Sequence, residues 1–189
     1  MKAAAFDKLI AQAYSVPLNS VTVHARNLKE SGLLTTGARG TNAPDMKPLD
    51  AARMTIVLLS TDRPARAVES LSAYGSLTLN TSYSEGDISA LGEDDRSLEG
   101  VLQSFFSFRG AVPAFLRRVE INEQMRSAKV TFSKGGTRGV AHFDGSAHDV
   151  IEAYAERRNE CLQTIRGLNQ APMISVALAV NENVEVKEE

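Results

Sequence analysis

The chain has 189 residues, 43% of them hydrophobic and 23% charged, with a formal net charge of −2; this is the profile of one globular domain or two small ones, not of a disordered chain or one that coats polyanions indiscriminately. Its longest apolar runs, Met54–Leu59 and Ile174–Val180, fall far short of the ~20 residues of a membrane helix, and Asp7 and Lys8 interrupt the N-terminal Met-Lys-Ala-Ala-Ala before a secretory apolar core forms. Cys161 is the only cysteine, which excludes an internal disulfide and a thiolate zinc site, so a soluble, intracellular, reduced protein is expected.

Charge alternates along the chain. Residues 1–70 carry nine Lys/Arg against six Asp/Glu and residues 111–148 six against three, so two mildly basic blocks are available for a polyanion despite the near-neutral total. Phe6, Leu9, Ile10 and Ala13 predict a first helix over 3–14, and Ser15-Val16-Pro17 ends it, because residues before proline avoid the α region. Leu18, Val21, Ala25 and Leu28 predict a second helix over 18–31, with Gly32 where a glycine follows a helix C-terminus. Residues 35–42 read as a glycine-punctuated loop or tight hairpin. Pro48-Leu49-Asp50 opens a third helix to about Ser60, and 63–74 reads as a fourth. The Ser-, Gly- and acid-rich stretch 80–96 reads as a linker.

Beyond it, Leu98, Val101, Leu102, Phe105 and Phe106 predict an amphipathic helix over 97–108. Residues 119–123, 127–133 and 138–144 read as strands, the last two joined by the hairpin tip Lys134-Gly135-Gly136-Thr137. Ser146-Ala147-His148-Asp149 has the form of a helix start, before a stripe from Val150 to Ile165 that Gly167 ends. Residues 172–180 read as a final strand and 181–189 as a frayed acidic tail. The expected fold class is α+β: an N-terminal all-α unit over 1–79, a linker over 80–96, and over 97–189 a small α+β domain with an antiparallel sheet.

Leu9-Ile10-Ala11-Gln12-Ala13, the turn at Val16-Pro17, the segment Val21 to Leu34 and the loop Thr36-Gly37-Ala38-Arg39-Gly40 together resemble the winged helix-turn-helix family of DNA-binding domains. A helix after the wing is similar to the MerR-like arrangement, and the likeness covers the first ~65 residues, where small regulators of bacteria and their prophages carry such a unit. The resemblance implies double-stranded DNA as partner and a bacterial cytoplasmic or nucleoid setting. With Leu18, Val21, Ala25 and Leu28 turned to the core, Asn19, Ser20, Thr22, Val23, Arg26, Asn27 and Lys29 face outward or sideways. Asn suits adenine, Arg suits guanine, and Thr and Val methyls meet the thymine methyl. Ser20 and Thr22 suit phosphate at the helix N-terminus, Lys8 and Lys29 suit phosphate generally, and Thr36 and Arg39 belong to the wing, whose glycines admit close approach to a minor groove.

Other features carry less. His142, Asp144, His148 and Asp149 lie within eight residues, but two histidines and a capping aspartate favour a structural role, so no metal is expected. Arg117, Arg118, Arg126, Lys129, Lys134 and Arg138 favour the wet side of a sheet. No nucleophile–base arrangement or cofactor fingerprint is present, so neither enzyme nor cofactor is expected. The leading expectation is a transcriptional repressor or autoregulator acting as a homodimer, its C-terminal part dimerising or receiving a signal from a protein partner. The alternative is a phage-type assembly protein, such as a packaging recognition subunit, or an inhibitor of a host system.

Overall fold

Apolar side chains at helical spacing, closed by a left-handed residue, set the first helix. In a computed structural model, which describes residues 1–38, 42–91, 96–107, 115–145 and 165–185, α1 spans Ala3–Tyr14 and buries Phe6 and Ile10. Ser15 takes φ 55°, and its N–H turns back to the carbonyls of Ala11 and Gln12. Helix α2, Leu18–Glu30, starts directly after Pro17 and buries Val21, His24, Ala25 and Leu28. Gly32 follows it at φ 70°, and Leu33 N–H returns to Leu28 O at 2.8 Å.

The third helix, α3 (Pro48–Ser60), is apolar around most of its circumference and therefore sits inside. It packs against α2, α4 (Ala67–Gly75), α5 (Leu98–Phe106) and α6 (Gln170–Glu185). Tyr14 O–H donates to Thr55 Oγ1 at 2.8 Å, and Thr55 donates to Ala51 O at 2.8 Å, which ties α1 to α3. A short 3₁₀ turn, Pro64–Arg66, links α3 to α4.

Five strands form one antiparallel sheet in the order β1-β4-β3-β2-β5: β1 Thr78–Glu85, β2 Phe115–Asn122, β3 Ser127–Lys134, β4 Thr137–Asp144 and β5 Ile165–Asn169. Alternation sends Val119 and Ile121, Ala128, Val130 and Phe132, and Ala141 and Phe143 inward. Helices α3 and α6 lie against β2 and β5. Lys134 pairs with Thr137 around Gly135 and Gly136, whose φ values of 55° and 86° suit the two-residue turn that matches strand twist. The buried side chains, from Phe6 to Val180, form one contiguous cluster through helices and sheet.

Four sequence expectations are corrected. Residues 78–85, expected in part as linker, are strand β1: an edge strand bonds its backbone to β4 and tolerates the polar side chains Asn80, Thr81 and Ser82. A 3₁₀ turn at Ile88–Leu91 follows. Residues 172–180, expected as a strand, lie in α6, where Met173, Val176, Ala177 and Val180 are buried at i, i+3, i+4 and i+7. Ile165 and Gly167, expected at the end of a helix, belong to β5. The expected fourth helix begins at Ala67, after the 3₁₀ turn, because Pro64 starts a separate tighter element. The helix start at 146–149, most of the stripe after it, and Arg39 lie outside the described residues.

No strand occurs among the described residues between α2 and α3. The loop is closed instead by a buried carboxylate. Asp50, 2% exposed, accepts Thr35 N–H on Oδ1 at 2.8 Å and Lys47 N–H on Oδ2 at 2.6 Å. Gly37 lies against Pro44, whose Cδ a Cβ at position 37 would approach to 2.8 Å, so only glycine lets the two limbs meet this closely. Arg53 completes the brace: its guanidinium donates to Leu33 O at 2.6 Å and forks onto Glu99 at 3.1 and 3.2 Å. Asp50→Ala removes two charge-assisted bonds and is expected to cost about 2–4 kcal/mol in urea unfolding. Asp50→Asn keeps one acceptor oxygen and is expected to lose less. Equal stability of Asp50→Ala and wild type would show that the loop closes without this carboxylate.

Candidate nucleic-acid interface

The core face of α2 fixes what its other face presents. Val21, Ala25 and Leu28 are fully buried, so Asn19, Thr22, Val23, Arg26 and Glu30 fall on the exposed side. Val23 is 37% exposed, and the Arg26 side chain 75%. Arg26 Nε meets Glu30 Oε1 at 2.7 Å, one turn along the same helix, and this pairing holds the guanidinium above its ordinary pKa range. An acid thus shares the strip with its main cation. Glu30 is absent from the sequence candidates because those were chosen for contact with DNA and its pairing with Arg26 was not considered; the i, i+4 spacing from Arg26 is the available signal.

The remaining sequence candidates sit on the flanks. Ser20 is half-buried, and its carbonyl accepts from His24 Nδ1–H at 2.8 Å. His24 is fully buried, and its Nε2 has no hydrogen-bond partner. Asn27 is half-buried and donates from Nδ2 to Pro64 O at 2.6 Å, which ties the 3₁₀ turn to α2. Lys29 lies toward α1, with Nζ 4.0 Å from Asp7 Oδ2. Thr36 is exposed in the loop. Lys8 is exposed on α1. The structure therefore gathers Asn19, Thr22, Val23 and Arg26 into one outward strip and turns Asn27 and Lys29 to neighbours inside the fold.

Asp7 is the unusual group at this helix pair. It is 7% exposed, and its Oδ1 has no hydrogen-bond partner. Burial raises its pKa, and the nearby Lys29 charge offsets this in part. A carboxyl with a higher pKa folded than unfolded binds its proton more tightly in the native state. Its contribution is therefore best at low pH and falls as pH rises through the raised value. Asp7→Asn is expected to melt above wild type at pH 7, with the difference shrinking as the pH approaches ~4, the unfolded aspartate value. Melting curves from pH 4 to pH 8 on both proteins measure this; a variant less stable at pH 7 would mean that the Lys29 contact outweighs burial.

Away from α2, the basic residues of the sheet are largely engaged. Arg118 and Lys129 meet Glu120 at 3.0 and 2.9 Å, which lowers the Glu120 pKa despite partial burial, and Lys134 meets Asp87 at 2.7 Å. His142 pairs with Lys129 across β3–β4, and Asp144 accepts from Asn80 at 3.0 Å. Among the described residues, no three of His, Cys, Asp and Glu gather as metal ligands, and no helix is long and apolar enough to cross a membrane. His148 and Asp149 lie outside the described residues.

Comparison with known protein families, with curated proteins and with solved structures finds no match in any of the three.

Proposed function

We propose that the chain is a sequence-specific regulator that binds double-stranded DNA through α2, a repressor or autoregulator acting as a homodimer. The observation that carries this reading is the division of α2: Val21, Ala25 and Leu28 are sealed, while Asn19, Thr22, Val23 and Arg26 share one solvent-facing strip. Such a strip combines amide, hydroxyl, methyl and guanidinium groups, the set that reads base edges in a major groove wide enough for one helix. The short turn at Ser15-Val16-Pro17 and the preceding α1 supply the helix pair in which such a helix is presented. One helix reads few bases, so a two-fold pair of chains on two half-sites supplies the affinity, the half-sites lying about 10 base pairs apart or a multiple of that.

Selection from a pool of random duplexes, followed by gel shift at low salt, tests the proposal. Retention of a preferred sequence with repeated half-sites is expected. No retention of any duplex at low salt removes the reading.

One observation favours a second reading. Glu30 neutralises Arg26 on the strip, and Leu18 and Val23 are 43% and 37% exposed on the same helix, a composition that also suits a protein surface. A phage-type assembly protein or an inhibitor of a host system would use it so. Light scattering distinguishes the two: a dimer fits the regulator, and a ring or larger assembly fits the packaging-type protein.

A further inference from the structure

We propose that Arg63 is a phosphate-binding residue on the flank of α2, and that Asn27 is the positioning residue that holds it there. The proposal rests on the DNA-binding reading of α2 and adds a contact from the turn after α3, outside the helix pair and the loop that follows it.

Three observations meet at this point. First, Asn27 Nδ2 donates to Pro64 O at 2.6 Å across 37 residues of sequence, and the 3₁₀ turn Pro64–Arg66 packs along α2. Second, the main chain is anchored on the other side as well: Arg63 N–H bonds Thr61 Oγ1 at 3.1 Å, and Thr61 is 4% exposed. The backbone that carries Arg63 is thus pinned at both ends beside the candidate reading helix. Third, the charges around it are already matched. Arg26 pairs with Glu30 at 2.7 Å, Arg66 with Glu69 at 3.2 Å, and Asp62, the preceding residue, with Arg166 at 3.6 Å. Arg63 is exposed, and among the described residues no hydrogen bond or ion pair engages its guanidinium.

An unmatched guanidinium on a pinned backbone, one step off the outward strip, suits a phosphodiester better than a base edge. Phosphates line both sides of a helix that lies in the major groove, and contacts to them fix its register without reading sequence. Asn27 then acts through the turn: its amide is spent on Pro64 rather than on a base, and its effect on binding is the placement of Arg63.

The test uses the full chain and two labelled duplexes, one of random sequence and one recovered by selection, with affinity followed by fluorescence anisotropy over a salt series. Arg63→Ala is expected to weaken both duplexes by the same factor, about 3–10-fold, and to reduce the slope of log K against log salt by about 0.9, the value of one phosphate contact, with base preference unchanged. Arg63→Lys, which keeps the charge, is expected to restore the slope. On the random duplex, Asn27→Ala is expected to weaken binding, and the double variant is expected to be no weaker than Arg63→Ala. Wild-type slope and affinity in Arg63→Ala, while wild type binds, overturn this proposal alone. Additive losses in the double variant overturn the positioning role of Asn27. Failure of wild type to bind either duplex overturns both this proposal and the DNA-binding reading.

Discussion

Phe106→Ala is expected to lower the unfolding free energy by about 3–5 kcal/mol. Phe106 is fully buried near the end of α5, and its ring meets Phe105 edge-to-face, with centroids 5.4 Å apart and planes at 77°. Its carbonyl accepts from Asn181 Nδ2 at 2.8 Å, so the last helix is docked at the same point. Helix α5 packs against α3, α4 and α6, which leaves few mobile neighbours to collapse into the space a missing ring would leave. The cost is the lost transfer energy plus the residual cavity. The chain has no tryptophan and four tyrosines. Urea unfolding should therefore be followed by far-ultraviolet circular dichroism for the helices and by tyrosine fluorescence for tertiary packing. Because one buried cluster runs from Phe6 in α1 to Val180 in α6, both signals are expected to shift to lower urea together. A shift in one signal only would show that α5 is not part of a shared core.

The helices were legible because their signals are local. The first three have buried residues at spacings that no strand would give, and Pro17, Gly32 and Pro48 punctuate them at the positions their backbone chemistry suits. The β3–β4 hairpin was legible for the same reason: two glycines stand where two positive φ values are needed. What failed was decided by tertiary context. Strand β1 is an edge strand with polar residues on a backbone that β4 completes, and nothing within 78–85 announces β4. Residues 172–180 offered β-branched side chains and a proline. The proline sits in the first turn of α6, where an amide has no helical partner to lose, and the apolar residues obey the helical period.

The candidate site was half legible for a similar reason. Periodicity separates the buried face of α2 from the exposed one, which put Asn19, Thr22, Val23 and Arg26 outward. It does not say which neighbour stands at either flank. Lys29 and Asn27 occupy helix positions that look available until α1 brings Asp7 to one side and the turn after α3 brings Pro64 to the other. Arg63 was invisible as a partner of α2 because the bond that brings it there spans 37 residues. Glu30 is the opposite case: its effect on Arg26 is local, and a reading that weighs acceptors as well as donors would find it.

That pair sets the sharpest functional expectation. Arg26→Glu is expected to weaken binding to a selected duplex by about 100-fold or more while leaving the melting temperature close to that of wild type. The loss has two parts. A bidentate arginine–guanine contact accounts for a factor of about 10–100 in discrimination, and a carboxylate in its place faces the phosphates with the wrong charge while Glu30 stands one turn away with the same sign. The fold is spared because the Arg26 side chain is 75% exposed and its partner Glu30 lies on the same helix. Two further substitutions separate charge from geometry. Arg26→Lys keeps the charge and loses the planar fork, so affinity for random sequence is expected to persist while base preference narrows toward none. Glu30→Gln removes the competing negative charge and its repulsion of phosphate, leaving only a neutral acceptor for Arg26, so binding is expected to tighten on every duplex. Gel shifts at two salt concentrations read all three variants. If Arg26→Glu binds the selected duplex as wild type does, the outward strip of α2 does not face DNA, and the surface left to explain binding is one that does not include this helix.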